Sequence, residues 1–387
     1  MSTNNAPNIS NFTYEKDRIL NRIYSLVDSN KLTKSIHSEI QSVEKDPENA
    51  SLWIALGTKL YEYKKFDNAI ECYEYVLMSS PELEYVWYYR GQSLYNLQRY
   101  SEAIESFDKA IRLNPDYSNA WNAKGLVLEK QGKKTEAQKC FDHSKEITQN
   151  KYTSFINEGK DNLTKSKYNE AIQSFDRAIK IDPENSNAWY YKGQSLYNIQ
   201  RYSEAIESFD NAIKLNSNDG DAWYYKGNSQ FYQGLYNDAI FSYDKSISIS
   251  RYPMGWSNRG KALDKLGQYE EAIESFDKAL QINKDDSDVW YAKGQSLANL
   301  GKYDLAIESY EKAIHIDPKN SNALSNALTA KGLALVSQNK YAEALETYEK
   351  LIKIDENNSN AWNAKGLVLE KQGKKTEAQK CFDHSKE

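Results

Sequence analysis

The chain has 387 residues and carries 50 basic against 55 acidic side chains, a net charge of −5 with a sequence pI near 5.7. That balance offers no basic footprint for nucleic-acid phosphates. A 40% hydrophobic and 13% aromatic content excludes a disordered chain, and mean hydropathy of −0.82 with no apolar run of about 18 residues argues against a membrane span. Glycine (17) and proline (7) are scarce, which favours long helices.

Residues 1–13 are polar, Asn-rich and carry Pro7, and are expected to be disordered. Residues 14–49 carry two short amphipathic patterns, Ile19/Ile23/Leu26/Val27 and Ile36/Ile40/Val43, ending at Asp46-Pro47. They read as a degenerate capping helix pair. From residue 50 onward the chain repeats. Trp53, Trp87, Trp121, Trp189, Trp223, Trp256, Trp290 and Trp362 are each followed four residues later by glycine, from Gly57 to Gly366. Phe155 and Leu328 take the tryptophan place before Gly159 and Gly332. The ten glycines are mostly 34 residues apart; an alanine follows each by twelve residues, and a Phe or Tyr follows that alanine by four.

Each unit predicts two helices. The first holds apolar residues at helical spacing and ends near Gln98-Arg99 or at Gly132 and Gly301. The second, as in Tyr100, Ala103, Ile104, Phe107, Ala110 and Ile111, repeats at i, i+3, i+4, i+7, and often stops before a proline such as Pro115 or Pro183. Six units are expected over 50–252 and four over 253–387. One residue is lost near 252, four are gained at 321–324 (a first helix starting one turn early), and the last unit is truncated. Residues 118–146 and 359–387 are identical, as natural duplication or engineering would leave them.

This 34-residue W…G…A…F/Y…P pattern resembles the tetratricopeptide repeat (TPR) family over residues 50–387. The resemblance implies an all-α, right-handed α-solenoid superhelix of stacked antiparallel helix pairs. One departure is systematic: where the family usually has Leu before the glycine, only Leu56 complies, and Arg90, Lys124, Glu158 and Lys293 stand elsewhere. A long stem there covers apolar surface while its charge reaches water.

The resemblance also implies that first helices line a concave groove where partners bind. Counting so that the tryptophan is position 4, the inward positions are 2, 5, 6, 9, 12 and 13. They supply Tyr85, Tyr88, Tyr89, Gln92, Tyr95 and Asn96 in the second unit, and Tyr190, Tyr191, Gln194, Tyr197 and Asn198 in the fifth. The sixth adds Tyr224, Tyr225, Asn228 and Tyr232, and the eighth Tyr291, Gln295 and Asn299. Tyrosine offers contact area and a hydroxyl; carboxamides satisfy a peptide backbone's donors and acceptors. Tyrosines at positions 5 and 12 also stack between repeats in this family, so Tyr89, Tyr191 and Tyr225 at position 6 carry the binding expectation most. Groove charges nearly cancel, with Asp221, Asp264 and Asp288 among the acids and Lys160, Lys261 and Lys265 among the bases. The family's terminal-carboxylate clamp and its asparagine ladder both lack their residues here.

Catalytic chemistry finds no support. Gly255…Gly260-Lys261 is a poor phosphate loop, ending in Ala262 and lying in a repeat helix. Cys72, Cys140 and Cys381 share one repeat position, where other units have Ser, and read as a small packing slot. The expectation is therefore a non-enzymatic, cytoplasmic scaffold or adaptor without metal or cofactor, holding a protein or peptide of unknown identity and neither nucleic acid nor membrane. A self-associating array, or the regulatory arm of a larger enzyme complex, is the alternative. The last unit's seam of Val368, Leu369, Cys381 and Phe382 is expected to be partly uncovered and open to self-association.

Overall fold

The computed structural model describes residues 9–27, 34–250, 253–318 and 321–386, and these form twenty-one helices with no strand among the described residues. They fall in two compact units, Met1–Ser154 and Phe155–Glu387. The first unit opens with α1 (Ile9–Val27) and α2 (Lys34–Lys45), which pack on α4 (Phe66–Ser79) and α3 (Ala50–Glu62). Then follow α5 (Glu84–Asn96), α6 (Tyr100–Leu113), α7 (Ser118–Lys130) and the start of α8 (Lys134–Thr164).

The second unit continues with the end of α8 and α9 (Tyr168–Ile181), then five further hairpins. These are α10 (Ser186–Asn198) with α11 (Tyr202–Leu215), α12 (Gly220–Tyr232) with α13 (Tyr236–Ile249), and α14 (Pro253–Lys265) with α15 (Tyr269–Ile282). α16 (Ser287–Asn299) pairs with α17 (Tyr303–Ile316), and α18 (Ser321–Ser337) with α19 (Tyr341–Ile354). The closing pair is α20 (Ser359–Lys371) and α21 (Lys375–His384). Within each unit, successive helices from α3 to α7 and from α9 to α21 pack on one another, the arrangement of an α-solenoid.

The repeat signature has a direct steric cause. The second-helix ring lies flat on the first helix at the glycine: a Cβ on Gly193 would sit 2.7 Å from the Phe209 ring. The buried alanines, such as Ala205 and Ala212 at 0% exposure, let the two backbones close around that ring. Between the helices one residue turns the chain in the left-handed region, Gly234 at φ 79° in one hairpin and Gln200 at φ 62° in another. Several first helices are capped by side chains: Asp219 accepts from the Ala222 amide (2.9 Å) and Asn358 from Ala361 (3.0 Å).

Three expectations change. α1 begins at Ile9, inside the stretch expected to be disordered, because nothing between Ile9 and Thr13 breaks a helix; residues 1–8 lie outside the described residues. The compact units divide at 154/155, and residues 251–252, at the one-residue register break, lie outside the described residues. α8 runs for 31 residues through the boundary between the third and fourth repeats, since no Pro or Gly interrupts 133–158. The last seam is not open: Val368 is 2%, Leu369 4% and Cys381 5% exposed, and only Phe382 is partly exposed. As expected, α18 starts four residues early and runs to 17 residues where most first helices have 13. No described helix is long and apolar enough to cross a membrane.

Candidate functional site

The first helices of each unit carry the residues singled out above. In the first unit Tyr88 meets the rings of Tyr89 (5.5 Å), Phe107 (6.0 Å) and Tyr117 (5.2 Å), and its hydroxyl accepts from Gln92 Nε2 at 3.0 Å. Asn96 Nδ2 donates to the Tyr61 hydroxyl at 3.0 Å, and Tyr95 packs on Tyr100. Tyr85 is exposed at the helix start. In the second unit Gln194 Nε2 donates to Tyr225 (3.1 Å), Asn258 Nδ2 to Tyr224 (3.0 Å) and Gln295 Nε2 to Tyr291 (3.0 Å). Tyr–carboxamide couples thus recur along both units. In each couple the tyrosine hydroxyl accepts a carboxamide N–H, and Asn96 and Asn258 donate a second time, to the Gln92 backbone carbonyl (2.8 Å) and to Asn228 Oδ1 (2.9 Å). Burial pushes the phenols of Tyr88, Tyr190, Tyr197, Tyr224 and Tyr291 up, so they stay neutral donors.

The position-6 tyrosines are not free lining. Tyr89 stacks on Tyr73 (6.0 Å), Tyr191 on Phe175 (5.7 Å) and Tyr225 on Phe209 (6.1 Å), each ring lying on the second-helix ring of the preceding repeat. Lys160 Nζ stands 4.5 Å from the centroid of Tyr191. These residues join neighbouring repeats and are half-buried. Tyr232, 59% exposed, stacks on Tyr202 at 5.4 Å and touches Tyr197 at 6.0 Å.

Three cavities in the second unit run into one another along this face. One of about 210 Å³ is lined by Tyr197, Tyr224, Asn228, Phe231, Tyr232, Tyr243, Asn258 and Lys261. The next, about 310 Å³, shares Phe231 and Lys261 and adds Asp264, Lys265, Phe276, Asp288, Tyr291, Ala292 and Gln295. The third, about 430 Å³, shares Asp264, Lys265 and Gln295 and extends past Ala298 and Asn299 to Ala330, Leu333 and Ser337. A polar network floors the first: Asn228 Oδ1 accepts from Tyr243 (2.9 Å) and from Asn258 Nδ2 (2.9 Å). The channel therefore narrows where tyrosines crowd it and widens where Ala292, Ala298 and Ala330 replace them. Asn198 and Asn299 are exposed beside it. A further cavity of about 380 Å³ lies among α15, α16 and α17, but Lys293–Asp277 (2.5 Å) and Lys312–Glu308 (2.7 Å) tie its charges together.

Two features escaped the sequence. The cations before the repeat glycine do not simply reach water. Each bridges back to an acid on the preceding second helix: Arg90–Glu74 (2.8 Å), Lys124–Asp108 (2.7 Å), Lys192–Asp176 (2.8 Å), Lys226–Asp210 (2.6 Å) and Lys365–Glu349 (3.1 Å). Most lie over their own tryptophan as well, Lys226 Nζ at 5.1 Å from Trp223. The tryptophans in turn donate Nε1–H to a backbone carbonyl six residues upstream, as in Trp189 to Pro183 (3.0 Å) and Trp362 to Glu356 (2.9 Å). Both the tryptophan and the cation are occupied by the stack. Gly260 of the weak phosphate-loop match is a packing glycine: a Cβ there would sit 2.6 Å from the Phe276 ring.

Among family models, those described as tetratricopeptide repeat match residues 118–151 and 257–321, and one described as TPR repeat matches 91–132 and 332–373. The model for anaphase-promoting complex, cyclosome, subunit 3 matches 164–246. No curated protein matches significantly. Among solved structures, YrrB, described as a TPR protein with an unusual peptide-binding site, is 24% identical, covering 49% of this chain and 97% of its own at a TM-score of 0.44. A tetratricopeptide repeat protein from Parabacteroides merdae is 18% identical over 61% of this chain and 93% of its own, with a TM-score of 0.48. Yeast Tom70 is 17% identical over 87% and 91%, with a TM-score of 0.38. Likenesses this distant say nothing about what this chain binds. The models matched along both units, together with the ring-on-glycine hairpins, make the chain a member of the tetratricopeptide repeat family, whose arrays serve as protein-interaction scaffolds.

Proposed function

We propose that the second unit holds an extended segment of a partner protein along its first-helix face, between Tyr197 and Ser337. The observation that carries this reading is the continuity of the three cavities, which share lining residues and so form one channel rather than separate pits. Tyr–carboxamide couples along it present both donors and acceptors, as an extended peptide backbone requires. The charges within reach, Lys261 and Lys265 against Asp264 and Asp288, balance. Recognition here rests on aromatic contact and hydrogen bonding, with only mild dependence on salt.

The test is partner capture by the purified full chain, compared with the Tyr224→Ala/Tyr232→Ala variant. Exposed aromatic anchors usually dominate an interface, so the double change is expected to weaken capture by more than about tenfold. Capture that survives this variant, and is lost instead on changing Leu305 and Glu274 around the α15–α17 cavity, would place the interface on the second helices and sink the proposal.

A further inference from the structure

The largest of the three cavities, about 430 Å³, is walled in part by two side chains whose hydrogen-bonding capacity the fold does not use up. The first is Tyr310, on α17. It is only 1% exposed, yet it forms part of the cavity wall, and its hydroxyl has no hydrogen-bond partner among the described residues. In the sixth repeat Tyr243, at the same repeat position, donates to Asn228. The eighth repeat has Gln295 in the place of Asn228, and its amide is turned to Tyr291 instead. Burial, then the neighbouring Tyr291 and Asp264, push the Tyr310 phenol up, so its proton stays on. The second is Asp264, on α14, which lines this cavity and the one before it. Its Oδ1 accepts from the buried Ser296 hydroxyl at 2.5 Å, which fixes the carboxylate across the repeat boundary. Its Oδ2 has no partner among the described residues. Lys265, next to it in the chain and exposed, forms no ion pair among the described residues. Ala298, Ala330 and the 57%-exposed Leu333 supply the apolar part of the wall.

We propose that this cavity holds a carboxamide side chain of the bound segment, a Gln or Asn, which donates N–H to Asp264 Oδ2 and accepts from the Tyr310 hydroxyl. This rests on the groove reading above and names the residue the channel selects. One open acceptor and one open donor suit a group that carries both. A carboxamide carries them on separate atoms and without charge, whereas a hydroxyl offers both from a single atom. A charged side chain is disfavoured, since an ammonium gains from Asp264 but is repelled by Lys265, and a carboxylate meets the reverse. An aliphatic side chain would cover Leu333 and leave the two polar groups unpaired and shielded from water. The stem of a glutamine covers Ala298, Ala330 and Leu333 while its amide meets Asp264 and Tyr310.

The probe is N-acetyl-glutamine methylamide, set against its glutamate and lysine counterparts and the methyl-ketone isostere, which keeps the carbonyl and replaces the NH2 by methyl. The purified full chain, with labelled Ala and Leu methyl groups, is titrated by NMR and read at Ala298, Ala330 and Leu333. The glutamine probe is expected to bind with a constant of about 10 mM, and each of the others at least about fivefold more weakly. Tyr310→Phe should weaken the glutamine probe about threefold. It should not lower the melting temperature, since Phe107, Phe209 and Phe276 fill that place in other repeats and the lost hydroxyl had no protein partner. Asp264→Asn keeps an acceptor for Ser296 and removes the charge that rejects glutamate, so the preference for glutamine over glutamate should vanish or reverse. The inference is overturned if the glutamine probe shifts none of the three methyl signals at about 50 mM, fivefold above the expected constant. It is equally overturned if the ketone, glutamate or lysine probe binds the parent chain as tightly as glutamine, or if Asp264→Asn leaves the preference as it was. The ketone comparison, made on the unaltered chain, decides the matter even where a variant fails to fold. Partner capture separates this inference from the reading beneath it. Capture lost in Tyr224→Ala/Tyr232→Ala but intact in Asp264→Asn/Tyr310→Phe removes the carboxamide and leaves the groove; capture intact in both removes the groove.

Discussion

Replacing Trp189 by alanine tests whether the repeat tryptophans are structural. The indole is largely buried against Leu196, Ala205 and Phe209, with Lys192 Nζ 5.5 Å from its ring. An aromatic side chain of this size hides on the order of 150 Å² here, worth roughly 4 kcal/mol at about 25 cal/mol per Å². The hydrogen bond to the Pro183 carbonyl adds about 1 kcal/mol, partly recovered when water replaces it. A total of about 3–5 kcal/mol matches other large core truncations. Trp189→Phe separates the terms: it keeps most of the area and loses the N–H, so about 1–2 kcal/mol is expected. Trp53, fully buried at 0% exposure, should fall at the top of the range. The assay is guanidinium unfolding followed by far-ultraviolet circular dichroism, with hydrogen exchange to localise the loss, since repeat arrays need not unfold as one. A Trp189→Ala change below about 1 kcal/mol would refute the packing role of the indoles.

Lys226→Leu installs the residue the family usually has. It removes a half-exposed ion pair worth at most about 1 kcal/mol and a cation–π contact of similar size, and gains apolar burial, so net stability should change by less than about 1 kcal/mol; a loss above about 2 kcal/mol in denaturant titration would show that the bridge matters more than the stem. Gln200→Gly relieves a left-handed turn residue and should raise the unfolding midpoint, by about 0.5–1 kcal/mol after allowing for the freer unfolded chain; an unchanged midpoint contradicts this. Cys72, Cys140 and Cys381 are buried and their thiols are pushed up by that burial, so a disulfide reagent should titrate them fully only after unfolding. Rapid reaction of all three in the native chain would contradict it.

The hairpins were legible because their cause lies in residue identity. A ring pressed on a backbone admits only glycine opposite, and Gly193 under Phe209 declares itself wherever the pair recurs. The continuous α8 was not, because a helix stop is written by a breaker, and its absence between two repeats reads the same as a merely degenerate turn. The indole bonds were invisible because their acceptors are backbone carbonyls, as in Trp189 to Pro183, which no side chain marks. The stacking of Tyr191 on Phe175 depends on the relation between repeats, whereas position counting within one repeat makes Tyr191 a groove residue.

The closing hairpin carries polar residues where most repeats are apolar. Most second helices carry Ile or Leu directly after the repeat alanine and again seven residues later, as Ile206 and Ile213 in α11 and Ile273 and Leu280 in α15. In the last repeat those two positions are Gln379, in α21, and Lys386, just past its end, both exposed; α8 has the same pair, Gln138 and Lys145. The inner residues stay covered, with Ala378 at 2% and Cys381 at 5%, while the two outer positions are polar. Two polar side chains there keep this face compatible with water. Gln379→Ile with Lys386→Ile should reverse it. The variant would present a two-residue apolar step of the kind that neighbouring repeats bury, and should sediment as larger species at concentrations where the parent does not, with little change in its unfolding midpoint. If parent and variant sediment alike across that range, the two polar slots do not govern the behaviour of this face.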